Sequence, residues 1–155
     1  PEHTTLNVVR LGTCGALQPE IPLGAFILSH ISIGFDGLMN WYANREEVTN
    51  VDMEQAFMKH MNWPKDLPTP YFVSASQKLI DLFADSTVRG MTISSPGFYG
   101  PQGRVVRQGL AMPNMLEAIT VCCAIAHRYL KDANTDYKPR VAQLVKLVLD
   151  KISTI

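Results

Sequence analysis

The sequence lacks an excess of charge of either sign, because 14 Lys and Arg residues balance 14 Asp and Glu residues among its 155 positions. Binding to a phosphate backbone or to an anionic membrane requires a surplus of cationic side chains, so neither nucleic acid nor a membrane surface is an expected partner. No apolar run reaches the roughly 20 residues that a transmembrane helix needs. The first residues, from Pro1 to Thr5, also lack the basic and apolar regions of a signal peptide.

Cysteine is scarce as well. The three cysteines, Cys14, Cys122 and Cys123, are odd in number and two are adjacent, which argues against a disulfide framework. Composition therefore favours a reduced, cytoplasmic, soluble protein, and 46% hydrophobic residues can support one compact domain. We expect no metal site, since no second His or carboxylate lies at ligand spacing from His127. No His is placed to activate Cys14 as a nucleophile.

Hydrophobic patterning predicts strands that alternate with helices. Asn50 and Ser76 are the predicted N-caps of two of the helices. Strands are predicted over residues 7–11, 25–33, 88–94 and 120–126, and helices over residues 50–61, 76–83 and along an apolar stripe from Val141 to Ile152. This alternation predicts an α/β fold.

One junction does not fit a continuous chain. Residues 115–119 have a helical or irregular pattern, whereas a buried-strand pattern begins at Thr120. Nothing between them could turn the chain, because the interval contains no Gly, Pro, Asn or Asp. Either one long element runs through the junction, or residues are absent between Ile119 and Thr120. We favour absence.

A glycine-containing turn is the first segment that could carry chemistry. Gly12-Thr13-Cys14-Gly15 follows the first predicted strand, and Arg10 precedes it by two residues. Glycines let backbone amides crowd around an anion, while Thr13 adds a hydroxyl and Arg10 a positively charged fork, so the cluster suits phosphate. Taken alone, such a turn is more often only a turn, and Arg10 is more often an ion-pair residue of an edge strand.

The segment from Phe98 to Arg104 is more informative. In an extended chain Gln102 and Arg104 project to the same side. A Gln amide can pair with a ring N–H and its neighbouring carbonyl, while Arg donates to a second carbonyl, and uracil offers that edge. Phe98 would supply a stacking face. The alternative interpretation is a glycine-rich surface loop with a solvated Arg.

Taken in order, these segments resemble the nucleoside phosphorylase family and, within it, the uridine phosphorylases. The resemblance is carried by Arg10 to Gly15, Gly24, Asp36-Gly37, Phe98-Tyr99 with Gln102 and Arg104, and Ile125 to Arg128. It implies a three-layer α/β/α sandwich around a central mixed, partly barrel-like β-sheet. It also implies that residues 1–155 form a single domain that lacks an N-terminal segment and the segment between Ile119 and Thr120.

The resemblance also implies roles for individual residues. Phosphate would be held by Arg10, Gly12 and Thr13, with Thr13 also touching the ribose. Arg128 would approach the base through water or as part of a closing loop. The uracil pocket would be lined by Cys14, Gly15, Phe98, Gln102 and Arg104. The catalytic set would be Arg10, Thr13, Gln102 and Arg104.

The implied reaction is the reversible phosphorolysis of uridine to uracil and ribose 1-phosphate. Inorganic phosphate is then a co-substrate, no cofactor is needed, and the expected assembly is a homodimer or a hexamer built from dimers. The alternatives are a purine nucleoside phosphorylase or nucleosidase of the same family, a catalytically inactive nucleoside-binding protein, and a generic α/β structural domain.

The sequence departs from the family pattern in two places. In the family, a Met-Glu pair that binds the ribose lies between the Gln/Arg segment and the late buried strand. This sequence passes directly from Ile119 to Thr120 in that interval and has no such pair. Met53-Glu54 is not that pair, because it precedes Phe98 and lies on a predicted surface helix. His127 stands where the family more often has Asn.

Overall fold

The computed structural model describes residues 7–96, 124–127, 136 and 138–154. Its strands are β1 (Cys14–Ala16), β2 (Ile27–Gly34), β3 (Tyr71–Ser74), β4 (Val88–Ser94) and β5 (Ala124–His127). Its helices are α1 (Val51–His60), α2 (Gln77–Phe83) and α3 (Lys138–Ile152), with 3₁₀ turns at Leu38–Trp41, Arg45–Glu47 and Ala84–Ser86. This is a mixed α/β fold, which confirms the class expected from the alternation of patterns.

The described strands form two sheets. In the larger, β2 lies in the centre, antiparallel to β3 and parallel to β4. In the smaller, β1 and β5 pair in parallel. The larger sheet is thus mixed, as expected, while the three layers and the barrel-like closure remain predictions.

A β-bulge interrupts the pairing of β2 with β4. Ser29 lies opposite Gly90, but the next pair joins Ile31 to Met91, so His30 is an extra residue. The His30 Nδ1 atom lies 2.8 Å from the Gly90 carbonyl oxygen and hydrogen-bonds across the bulge. A bulge shifts the alternation of side chains by one position.

The face of the larger sheet toward α1 carries an aromatic core. Ile33, Phe35 and Phe72 are buried there, and Phe57 of α1 and Trp63 pack against them. Ring centroids of Phe35 and Trp63 lie 5.0 Å apart, and those of Phe57 and Phe72 lie 5.5 Å apart. These tilted contacts add to the area that the rings bury. We call this surface the aromatic face.

Helix α1 begins and ends as its sequence predicts, but it is not a surface helix throughout. The Asn50 side chain accepts a hydrogen bond from the Met53 amide at 3.0 Å, which confirms the N-cap. The prediction for Glu54 is wrong, because Glu54 is only 4% exposed. Its Oε2 accepts a hydrogen bond of 2.6 Å from Arg45 Nη2, which offsets part of the cost of burying the carboxylate, while its Oε1 has no partner among the described residues.

Helix α3 closes a second core. Leu144 and Val148 lie in the predicted apolar stripe and pack with Phe83 of α2. Near the start of α3, the Arg140 guanidinium stacks 3.9 Å from the Phe26 ring centroid, and its Nε donates to the Gly24 carbonyl at 2.7 Å. Among the described residues, none of the helices has the length and apolar character that crossing a bilayer demands.

Some predicted element boundaries need correction. Residues 7–11 form no strand; the strand lies at Cys14–Ala16, because that is where β5 supplies a hydrogen-bonding partner. The sequence patterns also missed β3, a short strand whose pairing with β2 is decided by distant residues. Ser76 precedes α2 as predicted but makes no side-chain capping bond. Within the predicted strand 120–126, residues from Ala124 onward are strand, and the rest lies outside the described residues.

Candidate functional site

The turn from Gly12 to Gly15 and the late strand β5 lie side by side. Cys14 pairs with Ala124, Gly15 with Ala126, and Ala16 with His127, with an irregularity between Cys14 and Gly15. Cys14 and Gly15 belong to β1 itself, whereas Gly12 and Thr13 precede it at its amino end. The structure therefore brings together two segments that are more than a hundred residues apart in the sequence and that both belong to the sequence resemblance.

Within this turn the side chains have different surroundings. Cys14 is 8% exposed and packs with Ala16 against Ile21 and Ile27. Gly12 and Thr13 lie on the surface just before β1. Gly12 and Thr13 are thus exposed, while Cys14 anchors this segment to the sheet.

Arg10 lines a cavity of about 490 Å³ between the larger sheet, helices α2 and α3, and the segment that leads into β1. Its wall on the helix side is apolar. Its wall on the sheet side carries polar groups beside apolar residues of β2, and Asp36 follows the end of β2 by two residues. Apolar lining comes from Leu79, Phe83, Leu144 and Val148, and polar lining comes from Arg10, Ser29, Ser32, Asp36, Tyr71, Thr92 and Ser94. A small hydrogen-bonding ligand with an apolar surface would fit such a cavity.

Three hydroxyls on the sheet wall are close to one another. Ser29 Oγ lies 2.6 Å from Thr92 Oγ1 and 3.3 Å from Ser32 Oγ. In a regular strand Ser29 and Ser32 would point to opposite faces, and the bulge at His30 places them on the same one. We call this surface, which also includes Tyr71, the hydroxyl face.

Asp36 and Tyr71 form a polar pair at the end of the hydroxyl face. Burial, followed by the hydrogen bond to the Asp36 carboxylate and its negative charge, raises the pKa of Tyr71 to about 12. Tyr71 is thus a neutral donor at ordinary pH. Asp36 Oδ1 also accepts from the Leu38 amide at 2.9 Å. The Tyr71 ring lies directly over Gly34, where an added Cβ would come 2.0 Å from the ring, so a larger residue there would displace Tyr71.

The remaining predicted site residues cannot be placed in this arrangement. Phe98, Gln102, Arg104 and Arg128 lie outside the described residues, so their roles stay predictions. Within residues 7–96 and the described parts of the later chain, no group of three or more His, Cys, Asp or Glu residues is arranged to hold a metal ion.

The hydroxyl face was not predicted from the sequence. Asp36 was noted only for its resemblance to the family, and Ser29, Ser32 and Thr92 were not singled out. The only signal in the sequence is the extra residue between two serines of one strand, and this becomes visible only once the register with β4 is known.

Comparison with known proteins gives two matches. A family model described as the phosphorylase superfamily matches residues 2–127. The fold is similar to a solved structure of a Trypanosoma brucei nucleoside phosphorylase that is described as showing uridine phosphorylase activity. The TM-score is 0.68 at 18% sequence identity, over 93% of this chain and 62% of that one, so this chain spans less than two thirds of that protein's length. A search of curated proteins finds no match.

Proposed function

Because the chain belongs to the phosphorylase superfamily, we propose that it catalyses reversible phosphorolysis of a nucleoside, and specifically of uridine to uracil and ribose 1-phosphate. The observation that carries the proposal is the parallel pairing of β1 with β5, which sets the Gly12–Gly15 turn beside the late strand. The similar trypanosomal structure, described as showing uridine phosphorylase activity, supports this choice of nucleoside.

In this proposal phosphate binds at Arg10, Gly12 and Thr13. Arg10 lines the cavity. Gly12 and Thr13, which follow Arg10 in the chain, are exposed. A guanidinium and backbone amides hold an oxyanion in a fixed orientation. Fixing phosphate beneath the sugar converts a bimolecular attack on the anomeric carbon into a step within one complex.

The base is released as an anion in the same proposal. As the glycosidic C–N bond lengthens, negative charge builds on the uracil oxygens, and Gln102 and Arg104 donate hydrogen bonds to them. Stabilising charge that appears only in the transition state lowers the barrier without a covalent intermediate. Phe98 stacks on the ring, and Cys14, Gly15 and Arg128 complete the pocket.

Partners and assembly belong to the same proposal. Phosphate is a co-substrate, and the chemistry requires no metal or nucleotide cofactor. Assembly as a homodimer, or as a hexamer of dimers, is part of the proposal.

The test is to measure turnover of uridine with and without inorganic phosphate, with the release of uracil as the readout. We expect phosphate-dependent turnover, and we expect Arg10→Ala and Arg104→Ala each to lower kcat/KM about 10²- to 10³-fold. Arg89→Ala is the matched control, because Arg89 is an exposed arginine of β4 that does not line the cavity. It should keep kcat/KM within about twofold, since isolated surface substitutions have small effects.

Each alternative function predicts a different result. Release of uracil without phosphate would identify a nucleosidase. Turnover of inosine or guanosine in place of uridine would identify a purine phosphorylase. Calorimetric binding of uridine without any turnover would identify an inactive nucleoside-binding protein.

A further inference from the structure

An exposed apolar surface lies where the turns that follow β2 meet the start of α1. Trp41 is 87% exposed, and Tyr42 and Val48 are exposed beside it in the chain. Apolar groups that cluster on a surface and are rimmed by polar residues mark sites of protein contact. We call this surface the acidic–aromatic patch, and it consists of Trp41, Tyr42, Glu46, Glu47, Val48 and Asp52.

The patch carries negative charge that is not neutralised. Glu46, Glu47 and Asp52 are exposed and line a depression of about 430 Å³. None of the three forms an ion pair with a cation of the described residues. The neighbouring cation, Arg45, is already engaged by Glu54 at 2.6 Å. The carboxylates of the patch are therefore free to pair with cations of another molecule.

Hydrogen bonds hold the patch in a fixed shape. Arg45 Nη1 donates to Asn40 Oδ1 at 2.8 Å, and its Nη2 donates to Glu54 Oε2. One side chain thus joins the turn that carries Trp41 to helix α1. The Asn40 amide also donates to the Gly37 carbonyl at 3.0 Å and closes that turn. A surface that is ordered before binding loses less entropy when a partner binds.

The outer side of α3 is a second exposed apolar surface, and its charge is opposite. Leu149 is 64% exposed and Val145 is exposed one turn before it. Lys138 and Ala142 lie on the same side of the helix, because positions i, i+4, i+7 and i+11 share one face. The helix has four Lys and Arg residues but only one Asp and no Glu. We call this surface the basic–apolar stripe, and it consists of Lys138, Ala142, Val145, Lys146 and Leu149.

The patch and the stripe lie on opposite sides of the larger sheet. The patch is joined to α1, which packs on the aromatic face. Helix α3 packs through Leu144 and Val148 on the other side, where the cavity lies. One chain therefore cannot bring its own patch and stripe together, whereas two copies can. A contact between two different surfaces of identical chains repeats, and it builds a ring or an open chain of copies.

We propose that the acidic–aromatic patch of one chain binds the basic–apolar stripe of a second copy. Trp41 packs against Val145 and Leu149, which supplies affinity, and the carboxylates pair with Lys138 and Lys146, which fixes the orientation. The contact goes beyond the proposed function, because neither surface contains a residue assigned to phosphate or uracil. It is also separate from the two-fold contact of a homodimer.

The experiment is sedimentation velocity of the intact chain over a series of concentrations, at low and high salt. We expect reversible association that weakens as salt rises, because salt screens the ionic contacts. Trp41→Ala and Leu149→Glu should each weaken the association at least about 10-fold, as the loss of a central contact does. Met91→Glu is the control, since Met91 is 55% exposed on β4 and outside both surfaces. It should change the association less than about twofold.

Mixing two variants tests whether the patch and the stripe bind each other. Trp41→Ala leaves the stripe intact, and Leu149→Glu leaves the patch intact. An equimolar mixture of the two variants should therefore associate again, because each pair of chains still has one complete patch and one complete stripe. Circular dichroism of each variant verifies that it is folded.

Three results would overturn the proposal: a wild-type chain that stays a single copy at every concentration, a folded variant of either surface that associates as the wild type does, or a mixture that does not associate. A two-fold dimer that every variant keeps would be the homodimer of the proposed function, and it would contradict the contact between patch and stripe. Failure of the proposed function is distinct, because it appears as absent uridine turnover in a chain that still associates through these surfaces.

Discussion

The aromatic face and the hydroxyl face belong to the same strands, but they are built from different side chains. On the aromatic face, Phe72 and Ile33 are buried against α1. On the hydroxyl face, Ser29 and Thr92 meet at 2.6 Å beside a cavity of about 490 Å³. The comparison shows that one sheet can bury apolar side chains on one side, which supplies free energy of folding, and carry hydrogen-bonded hydroxyls beside a cavity on the other.

Removing a ring from the aromatic face should have the largest effect on stability. Phe72→Ala deletes a side chain that is 3% exposed and in contact with Phe57, and we expect a loss of about 3–5 kcal/mol in the free energy of unfolding. Urea denaturation measures it. Tyr42→Ala is the control, because Tyr42 is 61% exposed; a loss at Tyr42 as large as at Phe72 would contradict the division between the faces.

The next effect tests the buried ion pair beside the aromatic face. Glu54→Ala leaves the partly buried Arg45 guanidinium without its carboxylate, so we expect a loss of about 2–3 kcal/mol by urea denaturation. Glu54→Gln, which keeps an acceptor, should lose less. Equal stability of all three chains would show that the pair is structurally neutral.

A smaller effect is expected on the hydroxyl face. Thr92→Val keeps the shape of the side chain but removes its contact with Ser29, and a single neutral hydrogen bond contributes about 1 kcal/mol. Thermal unfolding at neutral pH measures the change. A loss comparable to that of Phe72→Ala would mean that the hydroxyl face also carries the stability of the sheet.

The smallest effect at neutral pH should be that of Tyr71→Phe, and it becomes visible only in alkali. The pKa of Tyr71 is raised from 10.0 to about 12 in the folded chain. Between these values the unfolded chain loses the proton while the folded chain retains it, so stability falls as the pH rises from 10 toward 12. Tyr71→Phe should remove this part of the fall, and an unchanged alkaline profile would contradict the raised pKa of Tyr71.

Sequence patterns predicted local elements well. Asn50 caps α1 as expected because its side chain reaches an amide three residues away, a contact within one turn of chain. The buried face of α3, which includes Leu144 and Val148, could be predicted because the 3.6-residue period of a helix places apolar residues on one side. Strand β3 and the start of β1 were not readable, because a short strand forms only where a distant partner strand offers hydrogen bonds.

Of the candidate site, the sequence supplied Arg10 and the glycine turn, whose residue types suggest anion binding in any fold. It did not supply the hydroxyl face. Alternation predicts opposite directions for Ser29 and Ser32, and only the register of β2 against β4 shows the extra residue at His30 that overrides it.

The amino-acid sequence by itself determined the α/β class, the helix start at Asn50 and the resemblance to a phosphate-using family, because these depend on residue types and on spacings within a few turns of chain. Only the tertiary structure decided that β1 lies beside β5, that Glu54 is buried against Arg45, and that Asp36 shares a cavity with Arg10. Those contacts join residues from separate elements, and their geometry is fixed by sheet register and core packing rather than by any local pattern.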